Sequence, residues 1–154
     1  MASTSDLQRR FGIPGVVQVD AGAGSLPRVA VTSDLASAEI YLHGAHLTKF
    51  QPRGAQPVLF MSGKSHFDAA KPIRGGVPVC FPWFGAKAGA PESPIHGFAR
   101  IRDWELESCA PQPDGSIRVA LALEIEEAAI RLTFAIGRSL DLALEVRSKA
   151  AFTF

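Results

Sequence analysis

Two short segments of this 154-residue chain place positively charged side chains among glycine, proline and aromatic residues. The first is Ile73-Arg74-Gly75-Gly76-Val77-Pro78 and the second is Pro94-Ile95-His96-Gly97-Phe98-Ala99-Arg100. A guanidinium presents a planar fork of donors that matches phosphate or carboxylate oxygens. Adjacent glycines let backbone N–H groups approach an anion closely. With the aromatic residues of Cys80-Phe81-Pro82-Trp83-Phe84-Gly85 as an apolar floor, the segments suit a small anion with a ring, such as a phosphosugar.

Each candidate residue also has a structural interpretation. Arg74 and Arg100 are candidate anion ligands, but each could instead pair with a surface carboxylate. His96 could hydrogen-bond to a hydroxyl or ring oxygen, or transfer a proton, although a single histidine before glycine is more often structural. Trp83 and Phe98 could stack on a sugar face or belong to the core.

Other reactive residues point less clearly to a site. His43 and His46 are three residues apart on a strand-like segment, so they should face opposite ways. With no cluster of Cys or carboxylates beside them, we expect no metal there. Asp103 and Glu105 alternate around Trp104, which leaves a paired-carboxylate hydrolase site open but poorly supported.

Composition bounds the class of protein. The chain is 47% hydrophobic with a formal charge of +1, and its length fits one domain, residues 1–154. Basic residues form no stripe beyond Arg9-Arg10, so we expect no nucleic-acid partner. No apolar run approaches the roughly 20 residues of a membrane span, and the first residues lack the apolar stretch of a signal peptide. Cys80 and Cys109 form no disulfide framework, so we expect a cytoplasmic protein without a membrane partner.

Alternating apolar residues favour an all-β fold. Three segments with period-two patterning, 117–125, 130–136 and 140–146, predict an antiparallel meander with one buried face. Residues 7–11 form the only helix candidate, and residues 64–92 form a long irregular stretch of the kind that is often functional. Shorter strand candidates precede that stretch, at 16–20, 28–32, 39–42, 47–51 and 58–60.

Read together with Gly44-Ala45-His46-Leu47-Thr48, the motifs resemble the hexose-6-phosphate mutarotase branch of the aldose 1-epimerase family. The resemblance implies an antiparallel two-sheet sandwich of the galactose-mutarotase-like type that interconverts the α and β anomers of a hexose 6-phosphate. It also implies that Arg74 and Arg100 hold the phosphate, that His96 binds in the sugar pocket, and that the reaction needs no metal and no cofactor. The family often has Gln before this histidine, whereas Ile95 cannot make that polar contact.

The resemblance implies that the chain is the N-terminal half of a longer sandwich. Ala151-Phe152-Thr153-Phe154 looks like a strand or loop still in progress, with no closing turn. The family's acid His and base Glu would then lie beyond Phe154, and we expect this chain alone to be inactive and prone to aggregation. A non-catalytic sugar-phosphate-binding or structural protein remains the alternative. A metal-dependent sugar isomerase of the cupin type lacks its His-x-His cluster, and no oligomeric state is predicted.

Overall fold

Two antiparallel sheets make up the molecule. The computed structural model describes residues 2–151, so the predicted continuation at residues 152–154 lies outside the described residues. Within residues 2–151 each sheet is a meander of four strands in sequence order. The predicted all-β, two-sheet antiparallel sandwich is confirmed. Its elements are α1 (Thr4–Phe11), β1 (Val17–Ala21), β2 (Pro27–Thr32), β3 (Ala36–Tyr41), β4 (His46–Pro52), β5 (Glu105–Pro111), β6 (Ile117–Glu124), β7 (Ala128–Ile136) and β8 (Leu140–Ser148).

The alternating pattern of the second sheet places its apolar residues against the first. In the β6–β7 register Leu121 pairs with Leu132 and Val119 with Phe134, and all four side chains are buried. They join one core cluster with first-sheet residues such as Ile40. Cross-strand apolar pairs of this kind stabilise a sheet while they remove apolar area from water.

Strand β8 differs from its neighbours. Its pairing with β7 is complete from Leu140 to Ser148. Yet Leu142 is 39% exposed and Leu144 is 46% exposed. The strand lies at the edge of the second sheet, and within residues 2–151 no element covers these two side chains. The buried face predicted for the meander therefore ends before its last strand.

Three expectations about the elements need correction. The strand candidate at 58–60 is irregular chain: Val58 N–H donates to Phe50 O, and Val58 and Phe60 are then exposed. β5 was not among the predicted strands, because a register shift between Leu106 and Ser108 interrupts its alternation. Helix α1 begins before residue 7, because the Ser3 side chain accepts the Asp6 N–H and caps it.

The predicted irregular stretch at 64–92 is confirmed and is longer than expected. No helix or strand forms between β4 and a single 3₁₀ turn at Ala99–Ile101 in the described structure. Isolated bridges hold the stretch to the sandwich, Leu47 with Val77 and Phe81 with Gly97. No helix among residues 2–151 is long and apolar enough to cross a membrane.

Candidate functional site

The site is built on the turn between β3 and β4. Gly44 N–H donates to Arg102 O at 2.7 Å, and Trp104 N–H donates to Leu42 O at 2.9 Å. Gly44 has φ +76, and a Cβ there would lie 2.7 Å from the Arg100 carbonyl oxygen. Glycine is therefore required by both conformation and space, and it lets the second predicted segment lie directly on the turn.

The segment that carries Arg74 lies against the start of β4. Val77 N–H donates to Leu47 O at 2.9 Å, and Gly76 N–H donates to Phe60 O at 3.0 Å. The Arg74 carbonyl accepts from the Ser65 hydroxyl at 2.9 Å. These bonds fix the backbone on both sides of the arginine. The Arg74 side chain is exposed, and within the described residues it has neither an ion pair nor a hydrogen bond.

His46, at the start of β4, links this segment to the first sheet. The imidazole is 1% exposed, and its Nε2 lies 2.7 Å from the Gly75 carbonyl oxygen. A carbonyl can only accept, so Nε2 carries the proton and donates. Burial, with His43 and Arg100 as smaller electrostatic causes, lowers the pKa of His46 below its ordinary value. A neutral ring with its lone pair on Nδ1 follows from both observations.

His96 is held by a reciprocal pair of hydrogen bonds with Gly85. The backbone N–H of His96 donates to the Gly85 carbonyl oxygen at 2.7 Å, and the backbone N–H of Gly85 donates to the ring Nδ1 of His96 at 2.9 Å. The residue has φ +66, an uncommon conformation for a residue with a side chain. Because Nδ1 accepts, the proton of the neutral ring is on Nε2. His96 thus presents Nε2–H as a hydrogen-bond donor from a half-buried, fixed ring.

Arg100 is half-buried in the 3₁₀ turn Ala99–Ile101. One terminal nitrogen donates to the Ile95 carbonyl at 2.6 Å, and its Nε is buried with no partner among the described residues. No carboxylate in the described chain lies within ion-pair distance of it. The backbone of Ile95 therefore orients Arg100, whereas the Ile95 side chain is 57% exposed and leaves that position apolar.

Aromatic rings surround the two segments. Trp83 and Phe98 meet edge to face at 5.9 Å, and Trp83 donates its indole N–H to Pro94 O at 3.0 Å. Lys87 lies 4.5 Å from the Trp83 ring. Both rings are half-buried and lie outside the core clusters. Phe84, which the sequence reasoning had not singled out, is 81% exposed and lies 4.5 Å from the His96 ring. Its place in the aromatic segment at residues 80–85 was the only signal in the sequence.

The other candidate residues serve the fold. His43 is buried, with Nδ1 3.0 Å from Asp103 Oδ1 and Nε2 2.9 Å from Lys71 O. This contact occupies one carboxylate of the predicted Asp103 and Glu105 pair, so the two carboxylates do not form an open hydrolase site. Within residues 2–151 no group of three or more His, Cys, Asp or Glu side chains could hold a metal ion.

The arrangement has a clear chemical capacity. Arg74 lies on a segment that contacts the start of β4, Arg100 lies on a segment that contacts the adjoining β3–β4 turn, and neither is neutralised by a carboxylate in the described structure. A fixed Nε2–H on His96 lies on the second segment, and the exposed ring of Phe84, from residues 80–85, lies beside it. Cationic forks, a neutral donor and an aromatic face are the groups that bind a phosphorylated, hydroxyl-rich ring.

Comparison with known proteins decides the family. The family model described as aldose 1-epimerase matches residues 27–154. The chain belongs to the aldose 1-epimerase family. Among curated proteins, one from Escherichia coli strain K12 named "putative glucose-6-phosphate 1-epimerase" is 32% identical over 155 residues, covering 90% of this chain and 51% of that protein. A protein of the same name from Cenchrus ciliaris is 36% identical over 123 residues, covering 71% of this chain and 36% of its own length.

A solved structure of a similar protein has the same fold. The crystal structure of "a putative mutarotase (YeaD) from Salmonella typhimurium" superposes with a TM-score of 0.82 at 27% identity. The match covers 89% of this chain and 48% of that one. The chain spans about half the length of the curated relatives it matches. The resemblance drawn from the motifs is confirmed, and the chain is a sugar-epimerase family member with an epimerase-type β-sandwich.

Proposed function

We propose that the protein binds a hexose 6-phosphate and that the whole protein interconverts its α and β anomers. The observation that carries the proposal is the pair of arginines, Arg74 and Arg100, whose guanidinium groups have no carboxylate partner in the described residues. A guanidinium without a carboxylate partner keeps its charge and its remaining N–H donors available for a phosphate dianion. The names of the relatives from Escherichia coli and Cenchrus ciliaris support the same substrate.

In this proposal the described residues bind and orient the substrate. Arg74 and Arg100 hold the phosphate, and His96 donates Nε2–H to a sugar oxygen. Anomer exchange requires a base that removes the anomeric hydroxyl proton and an acid that protonates the ring oxygen, so that the ring opens and recloses. We propose that a His and a Glu in sequence following Phe154 supply these groups. No step requires a metal, and activity should survive exhaustive chelation. A cytoplasmic location remains a prediction.

A non-catalytic sugar-phosphate-binding protein is the second candidate. It is compatible with His96, whose Nδ1 already accepts the Gly85 N–H at 2.9 Å. Protonation of Nδ1 would replace that hydrogen bond with two opposed N–H groups. The histidine of this site is therefore suited to binding and not to proton transfer. The two candidates share the phosphate clamp and differ only in whether the whole protein contains a proton-transfer pair.

An NMR titration tests the shared part. Uniformly ¹⁵N-labelled chain is titrated with glucose 6-phosphate, glucose and inorganic phosphate, with Arg74→Ala and Arg100→Ala alongside. Each charge-assisted contact is worth about 1.5–3 kcal/mol, so each variant should bind glucose 6-phosphate roughly 10–100-fold more weakly. Arg53→Ala is the matched control, because Arg53 is an exposed arginine that pairs with Asp34 elsewhere. Equal affinity of the unmodified chain for glucose and glucose 6-phosphate would refute the clamp.

Exchange NMR distinguishes the two candidates. The rate of α-to-β exchange of glucose 6-phosphate is measured with this chain and with the protein encoded when the reading frame is followed past Phe154. The epimerase proposal expects exchange above the buffer rate with the longer protein only. Binding without exchange by the longer protein would favour the non-catalytic candidate.

A further inference from the structure

The site contains a buried histidine that its binding chemistry does not use. His46 begins β4, is 1% exposed and cannot reach a ligand at the surface. Its Nε2–H donates to Gly75 O at 2.7 Å, directly after Arg74 in the chain. A Cβ at Gly76 would lie 3.2 Å from the same nitrogen, so the imidazole lies directly against the glycine pair. His46 thus contacts the backbone that carries the first arginine.

The second arginine lies close enough to His46 to act on it electrostatically. Among residues 2–151 only two side-chain atoms are buried without a hydrogen-bond partner, His46 Nδ1 and Arg100 Nε. The first is an acceptor, because its neighbour Nε2 holds the proton, and the second is a donor. Their segments touch, since a Cβ at Gly44, two residues before His46, would lie 3.2 Å from Arg100 Cα. The electrostatic effect of Arg100 on His46 agrees with that proximity.

The acceptor His46 Nδ1 and the donor Arg100 Nε, both without a partner in the described residues, are chemically complementary. A buried polar atom without a partner costs free energy, so such atoms are nearly always paired, through ordered water if necessary. One water can accept from Arg100 Nε–H and donate to His46 Nδ1. We propose that His46 is a positioning residue that holds the Arg74 and Arg100 segments in register, one through Gly75 O and the other through this bridge.

The proposal explains why a histidine serves here. A neutral imidazole offers one donor and one acceptor at opposite positions of a rigid ring. Nε2–H must donate to a carbonyl, and Nδ1 must accept from the water that bridges to Arg100. A protonated ring would lose the acceptor and place a second positive charge beside Arg100, and among the described residues His43 is the other titratable side chain that acts on it. Leucine would fill a similar volume with neither group, and glutamine would supply both.

The test compares His46→Leu, His46→Gln and Thr48→Val. Thr48 is also buried on β4, but its hydroxyl donates to Glu39 O, away from the clamp, so Thr48→Val controls for loss of a buried polar group. Hydrogen exchange of the Gly76 and Val77 amides is measured without ligand. Loss of one net hydrogen bond should speed exchange in His46→Leu about tenfold. Exchange in His46→Gln and Thr48→Val should stay within about threefold of the unmodified chain.

A second measurement rests on the proposed function. His46→Leu should weaken glucose 6-phosphate binding about tenfold while both arginines are intact, and His46→Gln should restore it. If the unmodified chain does not bind glucose 6-phosphate, the proposed function fails, but the exchange result still judges the positioning role. Unchanged exchange in His46→Leu would overturn the inference even if the sugar phosphate binds.

The tautomer provides a check that needs no variant. Long-range ¹H–¹⁵N spectra of the unmodified chain report which imidazole nitrogen of His46 is protonated. The inference requires the proton on Nε2 at neutral pH, and a proton on Nδ1 would overturn it. This reading remains decisive if His46→Leu fails to fold.

Discussion

Gly97 should be the glycine that the site tolerates losing least. Its φ is +71, and a Cβ added there would lie 2.1 Å from the Phe81 carbonyl oxygen, where contacts below 3.0 Å essentially never occur. That oxygen also accepts the Phe98 N–H at 3.1 Å and the Ala99 N–H at 3.2 Å. In Gly97→Ala the segment must therefore move away and lose both hydrogen bonds.

The cost follows from these contacts. An L-residue in the left-handed region costs about 1–2 kcal/mol, and two net hydrogen bonds add about 1 kcal/mol each. Gly89 provides a matched control, because it has φ +73 but nothing within 4 Å of an added Cβ. Gly97→Ala should therefore lower the free energy of unfolding by about 3–4 kcal/mol, and Gly89→Ala by about 1–2 kcal/mol.

Urea unfolding followed by tryptophan fluorescence measures the difference. For a domain of this size about 2 kcal/mol corresponds to roughly 4–8 °C in Tm, so thermal unfolding provides an independent value. If the two variants differ by less than about 0.5 kcal/mol, the close approach of Gly97 to Phe81 does not contribute to stability, and the reasoning fails.

Three further predictions concern other parts of the chain. Burial raises the pKa of the Cys109 thiol to about 12, so at pH 8 about one in ten thousand is ionised and iodoacetamide should modify Cys80 alone. Peptide mass spectrometry measures the labelling of each cysteine, and equal labelling of Cys80 and Cys109 would contradict the prediction. Because the pKa of His46 is lowered in the folded chain, the unfolded chain binds more protons than the folded chain below about pH 6.5. The free energy of unfolding therefore falls as the pH falls in that range, by at most about 1.4 kcal/mol per pH unit. His46→Gln should flatten that slope, and an unchanged slope in urea midpoints from pH 5 to 7 would exclude His46 as its source. Replacing the exposed Leu142 and Leu144 with Lys should reduce aggregation of this chain in light scattering, with stability changed by less than about 0.5 kcal/mol; unaltered aggregation would assign it to another surface.

The sequence predicted the strands with the strongest alternation best. β6 and β7 alternate because one face packs on the other sheet, and their residues were found correctly. β5 escaped detection because the register shift after Leu106 breaks the period. The strand predicted at 58–60 was wrong because a run of three apolar residues also occurs in exposed, irregular chain. Phe60 in this run is 79% exposed.

The site residues were recognisable as a motif, but their surroundings were not. Glycine and arginine at fixed spacing point to anion binding without a structure. The buried role of His46 depends on a carbonyl 29 positions later in the chain, which no local pattern reveals. His96 similarly depends on Gly85, whose N–H selects the tautomer across a loop. Contacts between distant segments therefore account for most of what the sequence left open.

The single-pair bridges that hold the long irregular stretch imply that the site can open on its own. Leu47 with Val77 and Phe81 with Gly97 each contribute only a few hydrogen bonds. Releasing the hydrogen bonds of the Leu47–Val77 bridge should cost about 2–4 kcal/mol, which leaves about 0.1–3% of molecules locally open there at equilibrium while the sandwich remains folded. Opening at Phe81 is rarer, because it must also expose a side chain that is buried in the core. A bound ligand would reduce the fraction of open molecules, so protection of these loops from proteases would report occupancy of the site.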